Sequence, residues 1–228
     1  MNMKKQAAEK AVEQIQDNMV VGLGTGSTAY FAIQKIGEKV AQGLDIGAVA
    51  TSVHTEKLAK ELGIPLLPFA DVHAIDLTID GADEVDPQFN LIKGGGGALM
   101  REKLIAYNTR HYIIIVDESK MVQQLGAFPL PVEILPFGYE LTLAQLRKVC
   151  SAVQLRSTNG KTFITDNGNL IADLHLGSIA DPELLDTLLH GVPGVLETGL
   201  FSHRMVSQVM IGTSGGEVKI LQHPSTTS

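Results

Sequence analysis

Two glycine clusters, a group of carboxylates and two lysines are the residues of this 228-residue chain whose types and spacing could do chemistry. The first cluster is Gly22-Leu23-Gly24-Thr25-Gly26-Ser27-Thr28, between a short apolar run and a helical stretch. Such a loop aims backbone N–H groups and a helix N-terminus at one place, which suits a phosphate or carboxylate. The hydroxyls of Thr25, Ser27 and Thr28 add donors, although the same residues would serve equally as a tight turn with a Ser/Thr helix cap. The second group is Asp80-Gly81-Ala82-Asp83-Glu84-Val85-Asp86, at the end of an alternating apolar run. A solvated acidic turn or a magnesium site would use the same residue types. Position at a strand's carboxyl end favours Asp80 and Asp83 as functional and leaves Glu84 and Asp86 as surface or supporting groups. The third is Lys93-Gly94-Gly95-Gly96-Gly97, leading into a helix that carries Glu102. Four glycines in a row cost much chain entropy, which a backbone approaching a ligand closely would explain. Glu102 alone reads as a surface glutamate between Arg101 and Lys103; its place one to two turns into that helix makes it a candidate. Lys120, after another apolar run, could offer a cation to an anionic ligand. An anion cradle, carboxylates and lysines together suit proton transfer next to a carbonyl on a phosphorylated small molecule.

Other chemistries lack their residues. Gly24-x-Gly26-x-x-Ala29 fits a loose dinucleotide fingerprint, but the acid expected at the end of the second strand is replaced by Thr51-Ser52. Gly160-Lys161-Thr162 has Leu155 where a phosphate-binding Walker loop needs glycine. The seven histidines show neither HExxH nor Cys/His pairing, so no zinc is expected, and one cysteine, Cys150, excludes an intrachain disulfide framework. Net charge is -7, against a polyanionic duplex as main partner, and no apolar run approaches the ~18 to 20 residues of a membrane span. The start MNMKKQAAEKAVEQIQ reads as an amphipathic helix rather than a signal peptide. Together with the lone cysteine this places the protein in a reducing cytoplasm.

The positioning elements follow from periodicity. Strands are predicted at 19–23, 46–50, 74–80 and 112–116, alternating with helices from near Ala29, over 54–62, and from the glycine run to Tyr107. This alternation predicts an α/β fold with a doubly wound, mostly parallel, Rossmann-like sheet. Three prolines around a short strand in PLPVEILP mark a boundary near 128. A smaller α+β domain is expected over 128–198. It should hold a helix from Thr142 with a capping box to Gln145, strands 163–165 and 170–174 joined through Asp166-Asn167-Gly168-Asn169, and a helix opened by Asp181-Pro182. Strands 206–211 and 217–221 should form a hairpin returning to the first domain, 1–127 plus 199–228, and 223–228 should be a disordered tail.

VGLGTGST at 21–28, TIDGADEVD at 78–86, LIKGGGGALMREKLIA at 91–106 and IVDESK at 115–120 closely resemble segments of the ribose-5-phosphate isomerases of type A. FPLPVEILP at 128–136, TDNGN at 165–169 and PGVLETGLF at 193–201 extend that resemblance in family order across nearly the whole chain. The resemblance implies interconversion of D-ribose 5-phosphate and D-ribulose 5-phosphate in the non-oxidative pentose phosphate pathway, with no metal or organic cofactor. It implies Glu102 as the general base acting through an enediolate, and Lys93 with the N–H groups of Gly94, Gly95 and Gly96 as substrate and oxyanion contacts. Asp80 and Asp83, with Gly81 and Ala82 between them, would hold sugar hydroxyls and assist ring opening. Thr25, Gly26, Ser27 and Thr28 would form a substrate loop with phosphate contact at Ser27 and Thr28, and Lys120 a further contact, with Lys4 or Lys5 within reach of the phosphate. A homodimer or homotetramer is implied, with no nucleic-acid or membrane partner. A sugar-phosphate sensor that binds without exchanging the C2 proton and a nucleotide-dependent oxidoreductase are the competing readings.

Overall fold

The computed structural model describes residues 2–223, so the expected tail lies, apart from His223, outside the described residues. Contacts divide the chain into two units. The first takes in Met1–Ala82, Arg101–Met121 and His203–Ser228, the second Asp83–Met100 and Val122–Ser202. The second therefore includes 83–100, 122–127 and 199–202, which a division at 128 and 198 leaves with the first.

Along the chain, α1 (Met3–Val12), β1 (Met19–Leu23), α2 (Ser27–Ala41), β2 (Ile46–Ala50), α3 (Val53–Glu61) and β3 (Ile75–Asp80) alternate as the periodicity predicts. Two short strands follow, β4 (Glu84–Val85) and β5 (Leu91–Ile92), then α4 (Leu99–Tyr107) and β6 (Thr109–Asp117). Next come β7 (Leu130–Ile134), α5 (Tyr139–Val149), β8 (Val153–Leu155), β9 (Ser157–Thr158), β10 (Lys161–Thr162) and β11 (Leu170–Leu174). The chain continues through α6 (Pro182–His190), β12 (Val195–Thr198), β13 (Leu200–Phe201), β14 (Val206–Gly212) and β15 (Val218–Gln222).

In the first unit one sheet runs β15-β14-β6-β3-β1-β2, parallel except for the antiparallel edge strand β15. β1, β2 and the YIIIV stretch of β6 are continuous apolar runs, as suits parallel strands covered on both faces. Ile113 and Ile115 of β6 and Met210 of β14 belong to one core with Ala7, Ala8 and Ala11 of α1 and Ala32, Ile33 and Ile36 of α2. A separate small cluster holds Val49, Ile75 and Ile105. The carboxyl ends of β1, β3 and β6 thus carry Leu23, Asp80 and Asp117 to the margin where ligands bind in such sheets.

The second unit holds a four-stranded antiparallel sheet, β12-β7-β11-β8, and a small sheet β13-β5-β4. Leu130, Val132 and Ile134 of β7, Leu143 and Leu146 of α5, Leu170, Ala172 and Leu174 of β11, and Leu189 of α6 form its core. Asp181 caps α6, its side chain accepting from Leu184 N at 3.0 Å, with Pro182 as first helical residue, as the sequence predicts.

Two local expectations fail for physical reasons. α5 begins at Tyr139 with Gly138 in the left-handed region as its cap, so Thr142 lies inside the helix and caps nothing; its hydroxyl donates to Pro193 O at 3.1 Å. Residues 163–165 form no strand. The turn after them is present, with Gly168 N–H donating to Thr165 O at 2.9 Å, but Thr165, Asn167 and Asn169 turn their side chains onto the fully buried carboxylate of Glu133. A buried charge demands donors more strongly than a short strand demands a partner.

Candidate active site

In the first unit the loop after β1 is organised by Asp80. Asp80 is fully buried, and its Oδ1 accepts from Thr25 N at 3.1 Å and Gly81 N at 2.8 Å, while Tyr112 Oη donates to its Oδ2 at 3.3 Å. Gly24 is required at this approach, because a Cβ there would fall 2.2 Å from Asp80 Oδ1. Below the loop, Thr25 Oγ1 joins a hydroxyl cluster, 2.7 Å from Thr51 Oγ1, 2.8 Å from Ser52 Oγ and 3.2 Å from Thr55 Oγ1. Thr55 in turn donates to Gly24 O at 2.8 Å. The segment Thr51-Ser52, where a dinucleotide fold needs its ribose acid, is thus committed to holding the loop.

The helix that follows is left open at its N-terminus. Gly26 occupies the cap position of α2 at φ 104° and makes no side-chain cap hydrogen bond, so the Ser/Thr cap considered from the sequence does not form and α2 starts at Ser27 rather than Ala29. Its first N–H groups keep the partial positive charge that attracts an anion. Ser27 is exposed and Thr28 half-buried, and Lys4 Nζ lies 2.9 Å from Ser27 Oγ. Lys4, Gly26 and Ser27 line the rim of a cavity of about 560 Å³ with Tyr30, Phe31, His54 and Leu58. Gly81 and Ala82 are half-buried; Lys120 ends a short helical turn after β6 and is also half-buried. Glu102 lies in the first turn of α4, only 5% exposed, which rejects its reading as a surface glutamate.

In the second unit the glycine run is a tight turn, Gly97 N–H donating to Gly94 O at 2.9 Å, with α4 beginning two residues after it rather than within it. Asp83 fastens this loop, its Oδ2 accepting from Gly95 N at 2.7 Å, and its own N–H donates to Ile92 O at 2.8 Å. Arg156 fastens it from the other side. Its Nη1 donates to Gly94 O at 2.8 Å and Gly95 O at 3.2 Å, while Nε and Nη2 form a bidentate pair with Asp173 at 2.9 and 2.5 Å. Lys93 is 2% exposed, with Nζ 5.4 Å from the Phe201 ring centre. A buried ammonium is costly unless compensated, and the aromatic face supplies one favourable contact.

Of the residues proposed from sequence, Thr25 and Asp80 meet directly, as do Asp83 and Gly95. Glu84 and Asp86 are buried supporting groups rather than surface ones. Glu84 is buried and accepts from Gly126 N at 2.7 Å and Phe128 N at 2.6 Å; Asp86 binds Gln88 N and both nitrogens of Asn90. Tyr112, Thr55, Arg156 and Phe201 were not identified. Each looks ordinary in sequence, and only the Arg156–Asp173 spacing across two short strands hints at a partnership.

A family model described as ribose 5-phosphate isomerase A (phosphoriboisomerase A) matches residues 47–216. The ribose-5-phosphate isomerase A of Bacillus mycoides is 49% identical over 217 residues, covering 95% of this chain and 98% of that one. That of Thermoplasma acidophilum is 49% identical over 216 residues, covering 93% and 89%. Among solved structures, ribose 5-phosphate isomerase A from Methanocaldococcus jannaschii superposes with a TM-score of 0.90 at 38% identity, covering 96% of this chain and 98% of that one. A D-ribose-5-phosphate isomerase in complex with phospho-erythronic acid gives a TM-score of 0.91 at 41% identity, covering 97% and 100%. With a family model matched over most of its length, relatives about half identical along nearly the whole chain and a shared architecture, the chain belongs to the ribose 5-phosphate isomerase A family.

Proposed function

We propose that this protein interconverts D-ribose 5-phosphate and D-ribulose 5-phosphate, with Glu102 moving a proton between C2 and C1 without metal or organic cofactor. The observation that carries the reading is burial. Glu102 and Lys93 are 5% and 2% exposed, although glutamate and lysine are almost never fully buried without a specific reason. In an isomerase family that reason is chemistry on a weakly acidic C–H bond. Glu102 takes the C2 proton of the open-chain aldose, and the C–H electron pair becomes the C1=C2 bond of an enediolate whose charge rests on oxygen. The proton returns to C1 while the hydroxyl proton passes from O2 to O1, leaving the ketone at C2. Base strength alone cannot drive the first step, so preorganised donors for the oxygen are needed. Lys93 and the amides of Gly94 and Gly96 take that role, and the Gly95 amide, committed to Asp83, holds the loop in shape.

Asp80 and Asp83 are assigned to sugar hydroxyls and ring opening while they anchor their loops. The phosphate is assigned to the uncapped N-terminus of α2 with Ser27, Thr28 and Lys4, and Lys120 to a further substrate contact. The single, buried, free Cys150 supports a reducing cytoplasmic location. Among the described residues no helix is long and apolar enough to cross a membrane. A homodimer or homotetramer is proposed because Phe137, Leu141, Leu184 and Leu188 of the second unit leave large apolar side chains exposed. The test is incubation of the pure protein with ribose 5-phosphate in D2O, followed by NMR. Ribulose 5-phosphate carrying deuterium at C1 is expected; binding without exchange would make the protein a sensor instead.

A further inference from the structure

The second unit contains a cluster of ligand-type side chains that the isomerase reading does not use. Asp186 and His190 lie one turn apart on α6, and Glu197 reaches them from β12. One ligand atom from each lies within 4.8 Å of the others. His190 Nε2 is 3.1 Å from Glu197 Oε1, and Nδ1 is 2.9 Å from the Asp186 carbonyl oxygen and 3.4 Å from Asp186 Oδ1.

We propose that Asp186, His190 and Glu197 bind one Zn²⁺ ion, clipping the C-terminal end of α6 to β12. A carbonyl oxygen can only accept, so Nδ1 carries the hydrogen and donates it to Asp186 O. Nε2 is thereby turned toward the Glu197 carboxylate, and a cation between them would bind both. A ring N–H held by a backbone carbonyl is also how metal-binding histidines are usually oriented. Thr198 orients both acids, its hydroxyl donating to Asp186 Oδ1 and its N–H donating to Glu197 Oε1 at 2.8 Å. One imidazole nitrogen and two carboxylates form a three-ligand set for zinc, with a fourth position left for water. Ligand atoms around a tetrahedral zinc with bonds near 2.1 Å stand about 3.4 Å apart. The Nε2 to Glu197 Oε1 approach of 3.1 Å is already near that spacing, and the carboxylate of Asp186, 34% exposed, closes the remainder by side-chain rotation. The pattern, Asp at i, His at i+4 and Glu seven residues on, escapes a search for HExxH or Cys/His pairs, which is why no zinc was expected from the sequence. None of the three residues has a role in the isomerisation, so the ion acts on stability rather than turnover.

The test uses the full-length protein stripped with chelator and desalted, titrated with ZnCl2 against a chromophoric chelator, with MgCl2 in parallel. One saturable Zn²⁺ site per chain is expected, preferred over Mg²⁺, together with a rise in Tm on adding zinc. His190→Ala should weaken zinc binding roughly tenfold or more and abolish the rise in Tm, with isomerase activity unchanged. Glu197→Gln, which keeps the shape and removes the charge, should weaken binding comparably, so the outcome does not depend on one variant folding. Cys150→Ser should bind as the unmodified protein does. Absence of one-site binding, or equal affinity in the His190→Ala and Glu197→Gln proteins, would overturn the proposal.

Discussion

The two glycine loops use the same residue for opposite ends. The loop after β1 is held from below, by Asp80 and by the hydroxyls of Thr51, Ser52 and Thr55, and it leaves the N-terminus of α2 without a side-chain cap. The loop after Lys93 is clamped at its carbonyls by Arg156 and at its Gly95 amide by Asp83. A loop with open amides on a rigid floor suits a stable ligand such as a phosphate, whose contacts are alike in ground and transition states. A loop fixed on both sides, beside a buried lysine, suits charge that exists only transiently, where preorganisation matters most. Damage to the first loop should therefore appear mainly in KM, and damage to the second loop and its following helix in kcat.

The largest effect is expected for Glu102→Gln, which should fold normally and lose on the order of a hundred-fold or more in kcat. Next, Lys4→Ala should raise KM for ribose 5-phosphate roughly ten- to a hundred-fold with kcat nearly unchanged, since one charge-assisted hydrogen bond is worth roughly 1.5 to 3 kcal/mol; a selective loss of kcat in steady-state assays would erase the contrast between the loops. Arg156→Lys keeps the charge and loses the fork that holds both Asp173 and the loop carbonyls, so kcat should fall several-fold with KM little changed. Gly24→Ala sharpens the comparison from the side of folding, because its Cβ would collide with Asp80; a loss of about 1 to 3 kcal/mol is expected in urea unfolding. The smallest effect is none at all: exhaustive EDTA treatment should leave turnover undiminished, and activity lost and then restored by added metal would return Asp80 and Asp83 to a metal site.

Much of the first unit was legible because its signals are local. The apolar runs MVVGL and IGAVA are strands over the residues expected, since a parallel sheet demands continuous apolar character and flanking glycines and polar residues end it. The Asp181-Pro182 helix start is equally local. What was not legible depends on partners distant in sequence. Thr142 has the residue type of a cap but sits inside α5, and the 165–169 turn is set by Glu133, more than thirty residues earlier. Among the site residues, the glycine loops and carboxylates announce themselves by spacing, whereas Tyr112 and Arg156 acquire meaning only when Asp80 and Gly94 are placed beside them. Glu84, left by the sequence as a surface or supporting group, is the latter, a buried staple for the amides of Gly126 and Phe128.

The central claim, that Glu102 carries the proton between C2 and C1, is tested most directly by following ribose 5-phosphate in D2O by NMR with the unmodified and Glu102→Gln proteins side by side. The expected result is deuterium incorporation with ribulose 5-phosphate formation in the first and a loss of both by about two orders of magnitude or more in the second, at undiminished ribose 5-phosphate binding. Exchange and turnover in Glu102→Gln within a few-fold of the unmodified protein would contradict it.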